Sequence, residues 1–227
     1  MINISILHPT RERPKIAYDN FCKWIASALD PGSIEYFIGV DNDDPLQDTY
    51  KDIFKVSCKG VQAIVYIGES RNPVAAVNNL SKYISDTTQI LVEVVDDVEP
   101  CTNWDKSLFE KLQNVDNFNQ PKSIGTHDGL RGYGIVFTQP IMNRAFFEKF
   151  GYFIYPEYTS MCADNDFTEL SRRSGYLIDA PEILFKHRHY SIGLSIFDKT
   201  YARNNNPTEL ERNRKVYAER EKNNFGL

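Results

Sequence analysis

Residues Ile90 to Pro100 read ILVEVVDDVEP, an apolar run that stops abruptly at two acids, Asp96 and Asp97. The run from Ile90 to Val95 reads as a buried strand. Two adjacent carboxylates at the end of a buried strand repel each other and lose hydration, a cost offset when a cation sits between them and a ligand. Oxygen ligands select Mg2+ or Mn2+, ions that bridge to a diphosphate. The plain alternative is an acidic loop in which Asp97 caps the next turn.

Upstream of this stretch, strands and helices alternate. Pro73 to about Ile84 is helical in pattern, with Val74, Val77, Leu80 and Ile84 on one face, and Ala63 to Ile67 is a short apolar strand. Tyr36 to Val40 is another strand, and it also runs into acid, Asp41-Asn42-Asp43-Asp44-Pro45. From Pro14 to about Ala28, the residues Ile16, Phe21, Trp24, Ile25 and Ala28 recur at helical spacing, and Pro31-Gly32 closes the unit. Ile2 to Leu7 alternates as a strand should, with Pro9 expected to end it. This βαβαβ order predicts an α/β fold, a mostly parallel sheet with helices on both faces. Ligands of open α/β sheets bind beyond the carboxyl ends of the strands, where both acidic clusters fall.

Downstream the pattern is less regular. Helices are expected from Trp104 to about Val115, from Pro140 to about Phe150 with Gly151 as the stop, and from Asp164 to Ser174 before Gly175. A polar stretch, Asp116 to Gln120, follows the first of these. Strands are expected at Tyr133 to Thr138 and Ile183 to His187. Asn204 to Pro207 breaks the chain before a charged helix from Thr208 to about Asn223, where Thr208 and Glu211 have capping-box spacing. With no repeat or low-complexity tract, the organisation reads as one domain, 1–203, followed by a charged helical appendage, 204–227.

Composition narrows the function. With 41% hydrophobic and 25% charged residues among 227, the chain can build a core. Its 13 tyrosines exceed core needs and are of the type that lines clefts for polar ring-shaped ligands. A net charge of -5 argues against general nucleic-acid binding. The compact basic stretches Lys186-His187-Arg188-His189 and Arg172-Arg173 suit a small phosphorylated ligand better. Cysteines 22, 58, 101 and 162 form no C-x-x-C pair and read as reduced thiols of a cytoplasmic protein. No apolar run approaches the ~18–20 residues of a membrane span, so no transmembrane segment is expected. Neither a nucleophile elbow nor a P-loop nor a G-x-G-x-x-G turn occurs.

Two further clusters carry candidate chemistry. Asp164-Asn165-Asp166 opens a predicted helix, where carboxylates serve as caps or, for one of them, as a general base. His187 and His189 flank Arg188 and share a face if the segment is extended. His8 and His127 have no comparable neighbours and are left structural. Trp104, which starts a helix, is either packed or a free aromatic face, and Tyr152, Tyr155 and Tyr158 are candidate cleft aromatics near Asp164.

Taken in order, these segments resemble the inverting GT-A glycosyltransferases of the family 2 type over roughly Ile2 to Tyr201. ISILHPTRERP is similar to the family's first strand and Pro-Thr-x-x-x-Arg turn, which implies that Pro9, Thr10, Arg11 and Arg13 border the nucleoside pocket. YFIGVDNDDP resembles the second strand, whose terminal acid, here Asp41, holds the base. Ala76-Val77-Asn78 looks like the Ala-x-Asn element that turns its Asn, Asn78, to the nucleotide. VVDDVEP resembles the D-x-D segment in an Asp-Asp form, implying that Asp96 faces the ribose or metal and Asp97 binds the metal. ADNDFTELSRRSGY is similar to the segment carrying the catalytic base. That likeness puts Asp164 in the base's place and Asp166 two places later, with Ala163 where an acid usually stands. FKHRHY resembles the segment whose histidine, here His187 or His189, completes the metal site.

The resemblance implies transfer of a sugar from a nucleotide sugar, UDP-linked by preference, to an acceptor hydroxyl. Mn2+ or Mg2+ would assist, and the anomeric centre would invert. THDGLRGY, from Thr126 to Tyr133, lies where the family shapes its acceptor side, and Gly129, Gly132 and Gly134 fit either a closing loop or a surface turn. Because of Ala163, a second reading stays open, a catalytically inactive domain of this fold that only holds a carbohydrate or nucleotide sugar.

Overall fold

In the computed structural model, which describes residues 3–113 and 118–227, the first half of the chain follows the βαβ pattern. Strands β1 (Asn3–Thr10), β2 (Ile34–Asp41), β3 (Ile64–Gly68) and β4 (Thr88–Glu93) pair in parallel in the order β3-β2-β1-β4. Between them lie α1 (Pro14–Ser27), α2 (Gln47–Ile53) and α3 (Pro73–Leu80). Helix α1 starts on proline, whose missing N–H costs nothing in a first turn, and buries Ala17, Phe21, Trp24 and Ile25. Ile16 is 50% exposed, because it sits one residue, about 100°, off the stripe set by Ala17 and Phe21. Helix α2 escaped the sequence reading, since only Tyr50 of its seven residues is buried and no periodicity shows.

Pro9 does not end β1. Leu7 turns its carbonyl toward β4, accepting from the Val94 N–H at 2.9 Å, so Pro9, two residues on, faces the same side. The β1–β4 ladder stops at the pair Leu7–Glu93, and the N–H that proline lacks has no partner to lose. On the other side His8, Pro9 and Thr10 continue in register with Ile38, Gly39 and Val40. The sheet therefore opens between β1 and β4 where the acidic pair begins.

The second half contains β5 (Val98–Glu99), α4 (Trp104–Gln113), β6 (Ser123–His127), β7 (Ile141–Asn143), α5 (Arg144–Phe150) and α6 (Ala163–Arg173). It continues with β8 (Leu177–Leu184), β9 (Lys186–His187), α7 (Lys199–Asn204) and α8 (Pro207–Lys222). Strand β7 joins β4 antiparallel, and β6 and β8 complete a seven-stranded sheet, β3-β2-β1-β4-β7-β6-β8. A ribbon of β5 and β9 brings Val98 opposite His187. The expected end of the Trp104 helix at Val115 and the start of the polar stretch at Asp116 lie outside the described residues.

Several expectations are corrected here. Tyr133 to Thr138 is a turn-rich loop, and the strand lies earlier, at β6. Phe137 from that loop covers Gly125 of β6 so closely that a Cβ there would overlap its ring. The expected Pro140 helix starts at Arg144, capped by Asn143, which accepts from the Phe146 N–H; Gly151 stops it at φ 75° as expected. Helix α8 is capped by Asn206 and not by a Thr208–Glu211 box, because Pro207 moves its first turn one residue earlier. Trp104 is wholly buried. Its indole donates to the Trp24 carbonyl at 2.9 Å and packs edge-on to that ring, so it offers no face to a sugar.

The sheet separates two cores. Ile4, Ile6, Ile38, Ile90, Val92 and Val94 pack with Phe21, Trp24 and Trp104 on one face. Leu7, Phe37, Leu91 and Met142 pack with Val77, Phe146, Phe167 and Phe225 on the other. Burial of Phe225, just beyond α8, contributes about 1.5–3 kcal/mol. Among the described residues no helix is long and apolar enough to cross a membrane.

Candidate active site

At the carboxyl ends of β1, β2 and β4 lies a cleft of about 590 Å3. Pro9, Thr10, Arg11, Arg13, Asp41, Asp96, Asp97, Asp164, His187 and His189 all line it. Asn78 and Asp166 do not.

Asp96 is held by the end of β1. One carboxylate oxygen meets His8 Nε2 at 2.9 Å; the other accepts from Thr10 Oγ1 at 3.2 Å and the Arg13 guanidinium at 3.3 Å. His8, fully buried, is oriented by a 2.9 Å bond between Nδ1 and the Tyr36 hydroxyl. The sequence reading left His8 structural, yet it sits two residues before Thr10 and so faces the same way in an extended strand.

Asp97 pairs with His187, Nε2 to carboxylate 3.0 Å, and also accepts from the Tyr201 hydroxyl of α7. The β5–β9 ribbon produces this meeting, and the Arg188 N–H bonds back to the Asp97 carbonyl at 2.7 Å. Burial alone would raise the Asp97 carboxyl; His187, ahead of Tyr201, outweighs it and holds the group below its ordinary value. His189 spends Nδ1 on Ser191, 2.8 Å from its hydroxyl, and caps a turn. Among the described residues no three His, Cys, Asp or Glu side chains converge as a ready-made metal cage.

Asp41 closes β2, with Arg11 at 2.9 Å and Arg203 at 3.6 Å. Helix α7 lies across this side. Asp198 at its start grips Arg13 at 2.6 and 2.7 Å, and Thr200 donates to the Arg11 carbonyl at 3.0 Å. No periodic or motif signal marked Asp198, Tyr201 or Arg203 in the sequence.

On the opposite wall, Asp164 stands in the first turn of α6, accepting the Asn165 N–H at 2.9 Å. Burial pushes its carboxyl up, against the pull of that N–H, Arg131 and His187. Leu130 and Arg131 of the Thr126–Tyr133 loop reach the same wall, their N–H groups fixed on Asp128 at 2.8 and 3.0 Å.

Asp166, only 2% exposed, turns away from the cleft. Arg220 of α8 bonds it at 2.8 and 3.3 Å, and the Tyr158 hydroxyl at 3.1 Å. Asn78, expected at the nucleotide, instead clamps a loop. Its carbonyl accepts the Phe153 and Ile154 N–H groups at 2.9 and 3.1 Å, and its amide donates to the Ile154 carbonyl at 2.7 Å. Tyr152, Tyr155 and Tyr158 surround Arg220 and not the cleft, whose aromatic walls are Tyr190 and Tyr201.

A seven-stranded, mostly parallel sheet with helices on both faces and an acid-lined cleft at its strand ends is the GT-A fold. Solved glycosyltransferase structures share it. TarS from S. aureus superposes with a TM-score of 0.63 at 12% identity, over 82% of this chain and 61% of that one. The Pyrobaculum calidifontis mannosyltransferase PcManGT, in complex with GDP-Man and Mn2+, gives 0.61 at 11% identity over 96% and 74%. The catalytic domain of Drosophila β1,4-galactosyltransferase 7 gives 0.55 at 14% over 85% and 73%. No sequence-family profile and no curated protein sequence matches the chain.

Proposed function

We propose that the chain transfers a sugar from a nucleotide sugar to an acceptor hydroxyl, by direct displacement with inversion. The observation that carries this reading is the convergence on one cleft of Asp41, Asp96 and Asp97 from the strand ends and of Asp164 from the facing helix. The neighbours add support. TarS structures hold UDP and UDP-GlcNAc, PcManGT holds GDP-Man and Mn2+, and the galactosyltransferase holds manganese, UDP-Gal and xylobiose.

Asp41 accepts from a pyrimidine N–H, which favours a UDP-linked donor, while Pro9, Thr10, Arg11 and Arg13 border the nucleoside. Asp96, already fixed by His8 and Thr10, faces the ribose. Asp97 and His187 touch each other in the cleft, Nε2 to carboxylate 3.0 Å, and are the side chains that would hold a divalent cation. That donor set fits Mn2+ or Mg2+, which when bound neutralises charge on the departing diphosphate. Asp164 takes the proton of the acceptor hydroxyl, and its burial makes it a stronger base than an exposed aspartate.

The test is incubation with Mn2+ and UDP-GlcNAc, UDP-Gal or GDP-Man, with released nucleotide as the readout. Slow hydrolysis of one donor is the expected result. Saturable glycan binding with no hydrolysis of any donor favours the binding module raised by Ala163.

A further inference from the structure

We propose that Glu93 is a sugar-binding residue, its carboxyl on the floor of the cleft beside Asp164 holding a hydroxyl of the sugar being transferred. The inference rests on the transferase reading and adds a specificity-determining residue to it.

Alternation along β4 sets the direction. Ile90, Val92 and Val94 pack into the α1-side core and Leu91 into the other, so Glu93 turns toward the face where α6 begins with Asp164. Glu93 lines the same cleft as that acid. Its backbone is firmly placed, since its carbonyl accepts from the Gln139 side chain and its N–H donates to the Pro140 carbonyl at 3.0 Å. The carboxyl, however, meets no hydrogen-bond donor and no cation among the described residues.

Every other acid of the donor side is engaged. Asp96 has three partners, Asp97 has His187 and Tyr201, Asp41 has Arg11 and Arg203, and Asp198 has Arg13. A half-buried carboxyl that opens on the cleft and has no partner within the chain is placed to meet one supplied by a ligand. Burial, with the neighbouring Asp164 charge, pushes the Glu93 carboxyl up to about 8, so it carries its proton at neutral pH. A protonated carboxyl offers one donor and one acceptor, matching a sugar hydroxyl, which also does both. Glu93 lines the cleft together with Asp96, Asp97 and Asp164, the side chains between which the proposed reaction puts the sugar ring.

Two substitutions test this. Glu93→Met removes both hydrogen-bonding functions at similar volume, whereas Glu93→Gln keeps a donor and an acceptor. Calorimetry with Mn2+ would compare UDP with UDP-GlcNAc and UDP-Gal, and GDP with GDP-Man. Glu93→Met is expected to bind the nucleoside diphosphate like the parent and the matching nucleotide sugar at least about tenfold more weakly. Glu93→Gln should stay within about threefold of the parent on both. The melting temperature of Glu93→Met should hold or rise, because an unpartnered carboxyl is gone. Equal weakening of diphosphate and sugar nucleotide, a lowered melting temperature, or unchanged sugar-nucleotide affinity overturns the proposal. If the parent protein binds neither UDP nor GDP, the transferase reading itself fails, and the inference falls with it.

Discussion

Asp164 and Asp166 stand two residues apart in one helical turn, yet they belong to different regions. Asp164 opens on a cleft and has one main-chain partner, while Asp166 is saturated by Arg220 and Tyr158. In the α6–α8 contact Asp166 finds Arg220 and Tyr158 within the chain, and the result is anchorage. Around the cleft, carboxylates share partners or compete for them, and the result is capacity for a ligand. Sequence position does not separate Asp164 from Asp166; the side chains that the fold brings to each do.

The largest expected break in that contrast is Asp164→Asn. Donor affinity by calorimetry should persist, and turnover should fall about 10²–10⁴-fold. Transfer at the parental rate would show the base lies elsewhere. Because burial raises the Asp164 carboxyl, its basic form is lost as pH falls through that raised value. The acid limb of the rate profile should therefore lie above the ordinary aspartate range and vanish in the variant. Asp97→Ala comes next, with Mn2+-dependent nucleotide binding reduced at least about tenfold by calorimetry; unchanged binding would remove Asp97 from the donor site. On the saturated side, Arg220→Met strands a buried Asp166 and should cost about 3–5 kcal/mol in urea unfolding. The rate per folded molecule should barely move, and a selective catalytic loss without destabilisation would reverse the comparison. The smallest effect is expected for Tyr201→Phe, which removes a competitor for Asp97. Mn2+ affinity should rise by about 2–5-fold, the scale of one net hydrogen bond, and a fall would mean that Tyr201 assists binding.

Apart from α2, the first half of the chain was legible because its strands are apolar, α1 and α3 are periodic, and its acids sit at strand ends. The second half was not, for physical reasons that can be named. Strand β6 has the sequence Ser-Ile-Gly-Thr-His and is buried by the loop aromatic Phe137, so the apolar signal sits in the loop and not in the strand. Ten of the twelve proposed site residues line the cleft. The two that do not, Asn78 and Asp166, are satisfied by partners 76 and 54 residues away, which local pattern cannot reveal. His8 was within reach, since its period-two spacing to Thr10 puts both on one face. Tyr201 reaches the cleft, and Asp198 reaches Arg13, at a helix whose six residues show no buried stripe.

The contact of Gly125 with Phe137 also constrains how such a chain can drift. A side chain at 125 meets that ring, so glycine can be replaced only once the aromatic has moved or been lost, and the reverse order is closed.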